Sequence, residues 1–302
     1  MIVKAPHCAQ RAQNWDFGHL TKRSLKLEFG DLMFDELLST IGKKSIVLLG
    51  ESAHGVKEQN SIRIDLIKKL HEELGFNYLF MESIPDKGGI KISSKEKLSD
   101  QIKSLLHPVY HTEEIMELFD FAQKRNISIE GFEIVGKQLE EYKKTKKDIG
   151  DKQSRTFRDK TMFENLLSVI ETRLRGEKVI IWAHNAHLMK KTSAAAHRDK
   201  VLGEFIHEKF GDDSICIGQF TGEGDIEHLP GQKVSLKQLE NSIEDFIVKN
   251  IEGIAVYPNL IDNIFHKKIL TLCSGIDHDE IIPTEHFDSL ILHKTGTAPI
   301  RL

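Results

Sequence analysis

The sequence is poor in the features that mark secreted and membrane-spanning proteins. Its 302 residues contain only three cysteines, at positions 8, 216 and 273, and none of them belongs to a C-x-x-C pair. Three widely spaced cysteines exclude a disulfide framework and favour a reducing compartment. No stretch reaches the roughly 18 apolar residues that a membrane-spanning helix needs. The first twenty residues also contain no apolar signal segment. We therefore expect a cytoplasmic protein without a membrane partner.

The sequence also lacks an excess of charge of one sign. It has 42 Lys and Arg residues against 46 Asp and Glu residues, which gives a net charge of −4. Nothing in this balance attracts nucleic acid over the whole surface, so no nucleic-acid partner is expected. Hydrophobic residues make up 39% and charged residues 29%. This composition excludes a disordered chain, and the length is sufficient for a core without disulfides.

Apolar runs of strand length alternate with helical periodicity along most of the chain. The predicted strands cover residues 44–50, 77–83, 126–133, 178–184, 214–220, 252–258 and 287–294. The predicted helices cover residues 56–74, 94–125, 137–175 with a break at Gly150, 199–210 and 235–249, and residues 185–198 are predicted to be a loop. This alternation predicts an α/β fold with a mainly parallel sheet. We expect a single domain over residues 1–302, with a helix-rich insertion at 84–176.

Acidic and imidazole side chains follow several of the predicted strands. In an open parallel sheet, ligands bind outside the carboxyl ends of the strands, so these residues are candidates for one site. They are Glu51 and His54 in the turn GESAHG, then Glu82, Glu133, His184 and His187. Of the 15 histidines, the other twelve have no spacing typical of a site and are interpreted as surface or packing residues.

The first turn and the helix after it carry the clearest catalytic pattern. Glu51 and His54 are three residues apart around a tight turn, where a carboxylate can orient an imidazole and raise its basicity. Arg63 shares the apolar face of the helix with Ile67 and must be paired there, with Glu51 or Glu82 as partner. Three interpretations without a catalytic role stay open. Glu51 accepts hydrogen bonds from backbone N–H groups near the helix start, His54 caps the N-terminus of the helix, and Arg63 extends to solvent at the helix edge.

The same cluster leaves two other chemistries open. Residues Gly50–His54 resemble a G-x-S-x-G nucleophile elbow with Ser52 as nucleophile, but His54 stands where that motif needs glycine. The Glu and His side chains are also of the types that bind a divalent metal. No H-E-x-x-H motif or diagnostic spacing accompanies them. We therefore assign neither a metal nor any other cofactor.

Together these motifs resemble the erythromycin esterase family. The family's G-E-x-x-H-G turn, helical Arg, strand-ending Glu and H-N-x-H turn correspond to Gly50–Gly55, Arg63, Glu82 and His184–His187. The resemblance implies a three-layer α/β/α fold and ester hydrolysis without a covalent enzyme intermediate. It also implies that His54 is the general base, oriented by Glu51, and that Arg63 and Glu82 organise water and substrate. His184 and His187 would then polarise the carbonyl or protonate the leaving alkoxide.

One departure limits what the resemblance implies about the substrate. The interval between Glu82 and His184 is much shorter here than in the macrolide esterases, so a macrolide substrate does not follow. We expect a hydrolase for a small-molecule or peptide ester, or for a lactone. The family's wider relatives include iron- and haem-binding proteins. A metal- or haem-binding protein, and a biosynthetic enzyme that uses the same His base without net hydrolysis, therefore remain alternatives.

Overall fold

Strands and helices alternate along the chain in the computed structural model, which describes residues 34–82, 96–193, 199–236, 238–272 and 279–302. The strands are β1 (Ile46–Glu51), β2 (Tyr78–Met81), β3 (Ser128–Gly131), β4 (Val179–His184), β5 (Ser214–Leu229), β6 (Gln232–Leu236), β7 (Ile254–Tyr257), β8 (Ile269–Thr271), β9 (Asp279–Ile281) and β10 (Ser289–Thr297). The α-helices are α1 (Asp35–Ile41), α2 (Lys57–Leu74), α3 (Leu98–Leu105), α4 (Glu113–Arg125), α5 (Lys137–Ile149), α6 (Asp151–Thr172), α7 (Asn185–Leu188), α8 (Leu202–Phe210), α9 (Ile243–Asn250) and α10 (Pro283–His286).

The main sheet has the strand order β3-β2-β4-β1-β5-β10-β7, with β6 paired to β5. All neighbours from β3 to β10 are parallel. Strand β7 runs antiparallel to β10 at one edge, and β6 forms an antiparallel hairpin with the end of β5. Strands β8 and β9 form a separate antiparallel pair. The expected α/β fold with a mainly parallel sheet is confirmed.

Both faces of the sheet are covered by helices, which gives the three-layer arrangement. In β1, Ile46 and Leu48 join the apolar cluster formed with α6, α8 and α9. Val47 and Leu49 join the opposite cluster, which contains side chains of α1, α2, α3 and α4. A strand buried on both faces has apolar residues at every position, which is why β1 reads as one continuous apolar run in the sequence.

The structure differs from the sequence prediction in several segments. The helix predicted for 235–249 begins only at Ile243, because residues 232–236 pair with β5 as a strand. The helix predicted for 94–125 divides into α3 and α4 around a short 3₁₀ turn at Pro108–Tyr110. The predicted break at Gly150 is confirmed. The segment 84–176 contributes α3 to α6 and β3, and its first twelve residues lie outside the described ranges.

Candidate active site

Three adjacent strands bring acidic and imidazole side chains to one edge of the sheet. Strand β4 lies between β2 and β1, and Glu51 is the register partner of His184. Glu82 directly follows β2, and its backbone N–H donates to the carbonyl of Trp182 at 2.9 Å. Its carboxylate accepts a hydrogen bond from the backbone N–H of His184 at 3.2 Å. Glu51, His184 and Glu82 therefore lie side by side at the carboxyl ends of neighbouring strands.

Two glycines of the GESAHG turn permit close backbone approaches. A Cβ atom on Gly50 would lie 2.0 Å from Oδ1 of Asn185. The amide of Asn185 donates to the carbonyl of Gln219 at 2.8 Å and so ties the turn after β4 to β5. A Cβ atom on Gly55 would lie 1.4 Å from the carbonyl oxygen of Glu227. Both positions therefore require glycine for the turn to pack against β5 and α7.

The Ser52 side chain belongs to a buried network that supports this turn. Gln59 of α2 donates from Nε2 to Ser52 Oγ at 2.7 Å and to Thr221 Oγ1 at the same distance. Its Oε1 accepts from the backbone N–H of Ser52 at 3.1 Å. Among the described residues, no imidazole nitrogen is hydrogen-bonded to Ser52 Oγ. The hydroxyl thus lacks the neighbouring base that a serine nucleophile needs.

Glu51 joins His54 and Arg63 through its two carboxylate oxygens. Oε1 lies 2.6 Å from His54 Nδ1, and Oε2 accepts from Arg63 Nη1 at 2.8 Å. Glu51 and Arg63 are fully buried, whereas 22% of the His54 side chain is exposed. The Arg63 guanidinium also lies over the ring of Trp182, 4.0 Å from its centre. Of the two partners predicted for Arg63, Glu51 is the one that forms the ion pair. The interpretation that Arg63 extends to solvent is wrong, because its side chain is completely buried.

The charges in this trio shift its pKa values in opposite directions. Burial alone would raise the pKa of Glu51, but Arg63 and His54 lower it to about 2. Burial disfavours the charged form of His54, yet the Glu51 carboxylate and its hydrogen bond raise the pKa of His54 above its usual value. Because Nδ1 is bonded to a carboxylate, the neutral His54 ring carries its proton on Nδ1 and its lone pair on Nε2.

His184 is an uncharged imidazole with both ring nitrogens in use. Its Nε2 lies 2.9 Å from the carbonyl of Ser52, and its Nδ1 accepts from the backbone N–H of Ala186 at 3.2 Å. Burial is the main cause that lowers the pKa of His184 to about 3, and the charge of the nearby His54 is the second. The His184 and His54 rings meet edge to face with their centres 5.2 Å apart. His184 therefore links the turn after β4 to the turn after β1 and forms one wall beside His54.

Arg158 of α6 connects the remaining acidic residues, and sequence reasoning missed it because no motif marks it. It donates from Nη2 to Glu82 Oε1 at 3.0 Å and from Nε to Glu133 Oε1 at 3.1 Å. Burial would raise the pKa of Glu82, but His187 and Arg158 hold it well below the usual range. Arg158 thus forms the ion pair with Glu82, whereas Arg63 forms the ion pair with Glu51.

His187 is held between Arg158 and Asp159, which are neighbours on α6. Its Nδ1 lies 2.7 Å from Asp159 Oδ1, and its Nε2 lies 3.1 Å from Arg158 Nη1 and 3.4 Å from Glu82 Oε1. Asp159 is fully buried. Sequence reasoning missed it, although a signal exists: Asp159 shares the apolar face of α6 with Met162, as Arg63 shares that of α2.

The segment between α3 and α4 adds one further side chain beside His54. The Tyr110 ring meets the His54 ring edge to face with centres 6.4 Å apart, and burial raises the pKa of its hydroxyl well above the usual value. His107, in the same segment, is exposed, which agrees with its interpretation as a surface residue.

The described part of the chain shows neither a metal-binding cluster nor a membrane-spanning helix. Among the described side chains, no group of three or more His, Cys, Asp or Glu residues is arranged to hold a metal ion. None of the helices in the described ranges has both the length and the apolar character that crossing a membrane requires.

Comparisons with known proteins agree with the fold. A model of the erythromycin esterase family matches residues 92–252, just over half of the chain. The match includes His184 and His187 but not the turn that carries Glu51 and His54. A Bacillus subtilis (strain 168) protein named "Putative hydrolase YbfO" is 35% identical over 111 residues, which are 34% of this chain. The matched part spans only 24% of that relative's length.

Three solved structures share the architecture. A Bacillus cereus protein has a TM-score of 0.71 at 17% identity, with 89% of this chain and 93% of that chain covered. A succinoglycan biosynthesis protein has a TM-score of 0.70 at 17% identity, with coverage of 88% and 92%. A mutant of the erythromycin esterase EreC, in its open conformation, has a TM-score of 0.62 at 13% identity, with coverage of 88% and 94%. At these identities the likeness shows the fold alone.

Proposed function

The chain belongs to the erythromycin esterase family, and we propose that it is a hydrolase that cleaves a carboxylic ester or lactone with water activated by His54. The contact of 2.6 Å between Glu51 Oε1 and His54 Nδ1 carries this proposal, because it leaves Nε2 as a proton acceptor. The description of the matching family model and the hydrolase name of one relative support the reaction class. A cytoplasmic location is part of the proposal, and the absence of a disulfide framework among the three widely spaced cysteines of the sequence supports it.

The proposed reaction uses one imidazole for both proton transfers. The oxygen of a water molecule attacks the ester carbonyl carbon while His54 Nε2 takes a proton from that water. The carbonyl π electrons move to oxygen and form a tetrahedral oxyanion. When the oxyanion collapses, the C–O bond to the alcohol breaks, and the leaving alkoxide takes the proton from His54 Nε2. The products are an acid and an alcohol, or one hydroxy acid from a lactone, and His54 is again neutral.

The other site residues have different access to a substrate. Arg63 is fully buried behind Glu51, so we assign it a positioning role in place of the substrate-binding role expected from the sequence. Glu82 and Arg158 have 10% and 26% of their side chains exposed. We propose that Arg158 donates hydrogen bonds to the oxyanion and that Glu82 contacts the substrate or the attacking water. His184, with both nitrogens bonded to backbone groups, is proposed to position the two turns.

The experiment compares His54→Gln with Ser52→Ala on p-nitrophenyl esters, aliphatic lactones and erythromycin. General-base catalysis contributes roughly 10²- to 10⁴-fold, so His54→Gln should lose activity on that scale. Ser52→Ala should keep most of the activity. His266→Gln, at an exposed histidine of the 3₁₀ turn Asn263–His266, is the matched control and should match the wild type.

A covalent serine mechanism predicts the opposite results. It predicts labelling of Ser52 by a fluorophosphonate and, where deacylation is the slow step, a burst of p-nitrophenol equal to the enzyme concentration. We expect neither, because no imidazole nitrogen among the described residues is hydrogen-bonded to Ser52 Oγ to take its proton. Labelling at Ser52, or full activity in His54→Gln, would refute the water mechanism.

A further inference from the structure

The Asp159 side chain repeats, on the other side of Glu82, the arrangement of Glu51 with His54. Asp159 Oδ1 lies 2.7 Å from Nδ1 of His187, and Asp159 is fully buried. Asp159 comes from α6 and His187 from α7, so the contact joins one layer of helices to the turn after β4. A buried carboxylate in this position favours the ring tautomer that carries a proton on Nδ1.

Arg158 acts on the opposite nitrogen of the same ring. Its Nη1 lies 3.1 Å from His187 Nε2. Because a guanidinium can only donate, Nε2 must offer its lone pair at this distance. Arg158 is itself held in place by hydrogen bonds to Glu82 and Glu133. The two neighbours on α6 therefore impose the same tautomer on His187 from both sides.

We propose that Asp159 is a positioning residue that keeps the proton of His187 on Nδ1 and presents Nε2 as a hydrogen-bond acceptor. The catalytic consequence rests on the proposed hydrolase function. In this tautomer His187 accepts a hydrogen bond from Arg158 and does not itself polarise the substrate carbonyl. It holds in place the guanidinium that we propose contacts the oxyanion.

The tautomer can be measured without any substrate. In the full chain labelled with ¹⁵N-histidine, long-range ¹H–¹⁵N spectra distinguish protonated from unprotonated ring nitrogens, and His187→Asn identifies the signals of His187. We expect a protonated Nδ1 with a downfield proton that exchanges slowly with water, and an unprotonated Nε2. A wild-type protein with the His187 proton on Nε2 would overturn the proposal, whatever the enzyme hydrolyses.

Asp159→Asn tests the cause of this tautomer. Whichever way the carboxamide turns, the charge-assisted bond is lost, so the downfield Nδ1 proton should move upfield or disappear. Asp151→Asn is the matched control: it removes a carboxylate from the same helix, where Asp151 is exposed and paired with Lys146 at 3.2 Å. The His187 signals should be unchanged in that control. An unchanged downfield proton in Asp159→Asn would refute the role of Asp159. If that variant does not fold, the wild-type spectrum still tests whether the His187 proton is on Nδ1.

The kinetic readout separates positioning from simple support of the fold. On an ester that the wild type hydrolyses, Asp159→Asn should lower kcat roughly 10- to 100-fold, the range found when a carboxylate that orients a metal-binding histidine is lost. The same change in a His187→Asn background should have almost no further effect on kcat, because Asp159 acts through His187. Equal losses in both backgrounds would contradict this. If no ester is hydrolysed by the wild type, the proposed function fails while the spectrum still tests Asp159.

Discussion

Replacement of Glu51 by glutamine is expected to destabilise the protein by about 3 kcal/mol or more at neutral pH. Glu51 and Arg63 are both fully buried, and their charged atoms are 2.8 Å apart. The substitution leaves the Arg63 guanidinium in the core without its carboxylate. Removal of one partner from a buried ion pair costs about 3–5 kcal/mol, because the other charge remains desolvated.

The pKa of Glu51 gives a second measure of the same interaction. Against the effect of burial, Arg63 and His54 lower this pKa from 4.5 to about 2. At about 1.4 kcal/mol per pKa unit, the shift corresponds to about 3 kcal/mol of stability. A carboxyl group whose pKa is lowered by folding contributes stability above its unfolded pKa and loses it as the pH falls through its folded pKa. The wild type should therefore lose this stability between about pH 4.5 and about pH 2.

Urea unfolding of both proteins at about pH 7 and about pH 3 tests both estimates. The difference in unfolding free energy should be largest at neutral pH and should be smaller at about pH 3, because Glu51 is then protonated in the unfolded wild type and begins to be protonated in the folded one. Asp120→Asn is the control, because Asp120 pairs with Lys124 on the surface, with 48% and 71% of the side chains exposed. Such pairs contribute at most about 1 kcal/mol. A Glu51→Gln protein as stable as the wild type, or a difference independent of pH, would refute the reasoning.

Three further predictions concern catalysis and the turn. The rate of ester hydrolysis should rise with pH through the raised pKa of His54, and in Glu51→Gln the inflection of the pH–rate profile should move to lower pH. Extensive dialysis against EDTA should leave the activity unchanged, since the proposed base and positive charges are protein groups; loss restored by one equivalent of a divalent ion would contradict the assignment. Gly55→Ala should destabilise the protein strongly, because a Cβ atom on Gly55 would lie 1.4 Å from the carbonyl oxygen of Glu227. Gly75→Ala is the control: its new Cβ meets no atom, so it should cost only about 1–2 kcal/mol, for the left-handed backbone at that position. Chemical denaturation of the two alanine variants measures this difference.

The fold could be predicted from the sequence wherever an element is buried on both faces. Strands such as β1 and β4 are apolar at every position, and that run is visible without a structure. The hairpin of β5 and β6 was missed because its outer half is partly exposed and polar, with residues 232–236 buried on neither face. Its register depends on pairing with a distant strand, which local periodicity does not record.

The candidate site was predictable to the extent that its residues follow strands. Glu51, Glu82 and His184 end neighbouring strands, so the rule for parallel sheets brings them together. Arg158 and Asp159 come from the middle of α6, and no strand end marks them. Whether the side of α6 that carries them meets the sheet near its carboxyl edge depends on how the helix packs, which a single sequence does not specify.

The charges at the strand ends influence whether His54 is protonated. The carboxyls of Glu51 and Glu82 have lowered pKa values, so both stay negative at neutral pH. His184 lies beside His54, but its pKa of about 3 keeps it uncharged. A charged His184 would oppose the charging of His54 at a ring separation of 5.2 Å. The neutral ring between two fixed carboxylates therefore leaves His54 as the ring of this pair whose charged form is favoured, as the proposed general base requires.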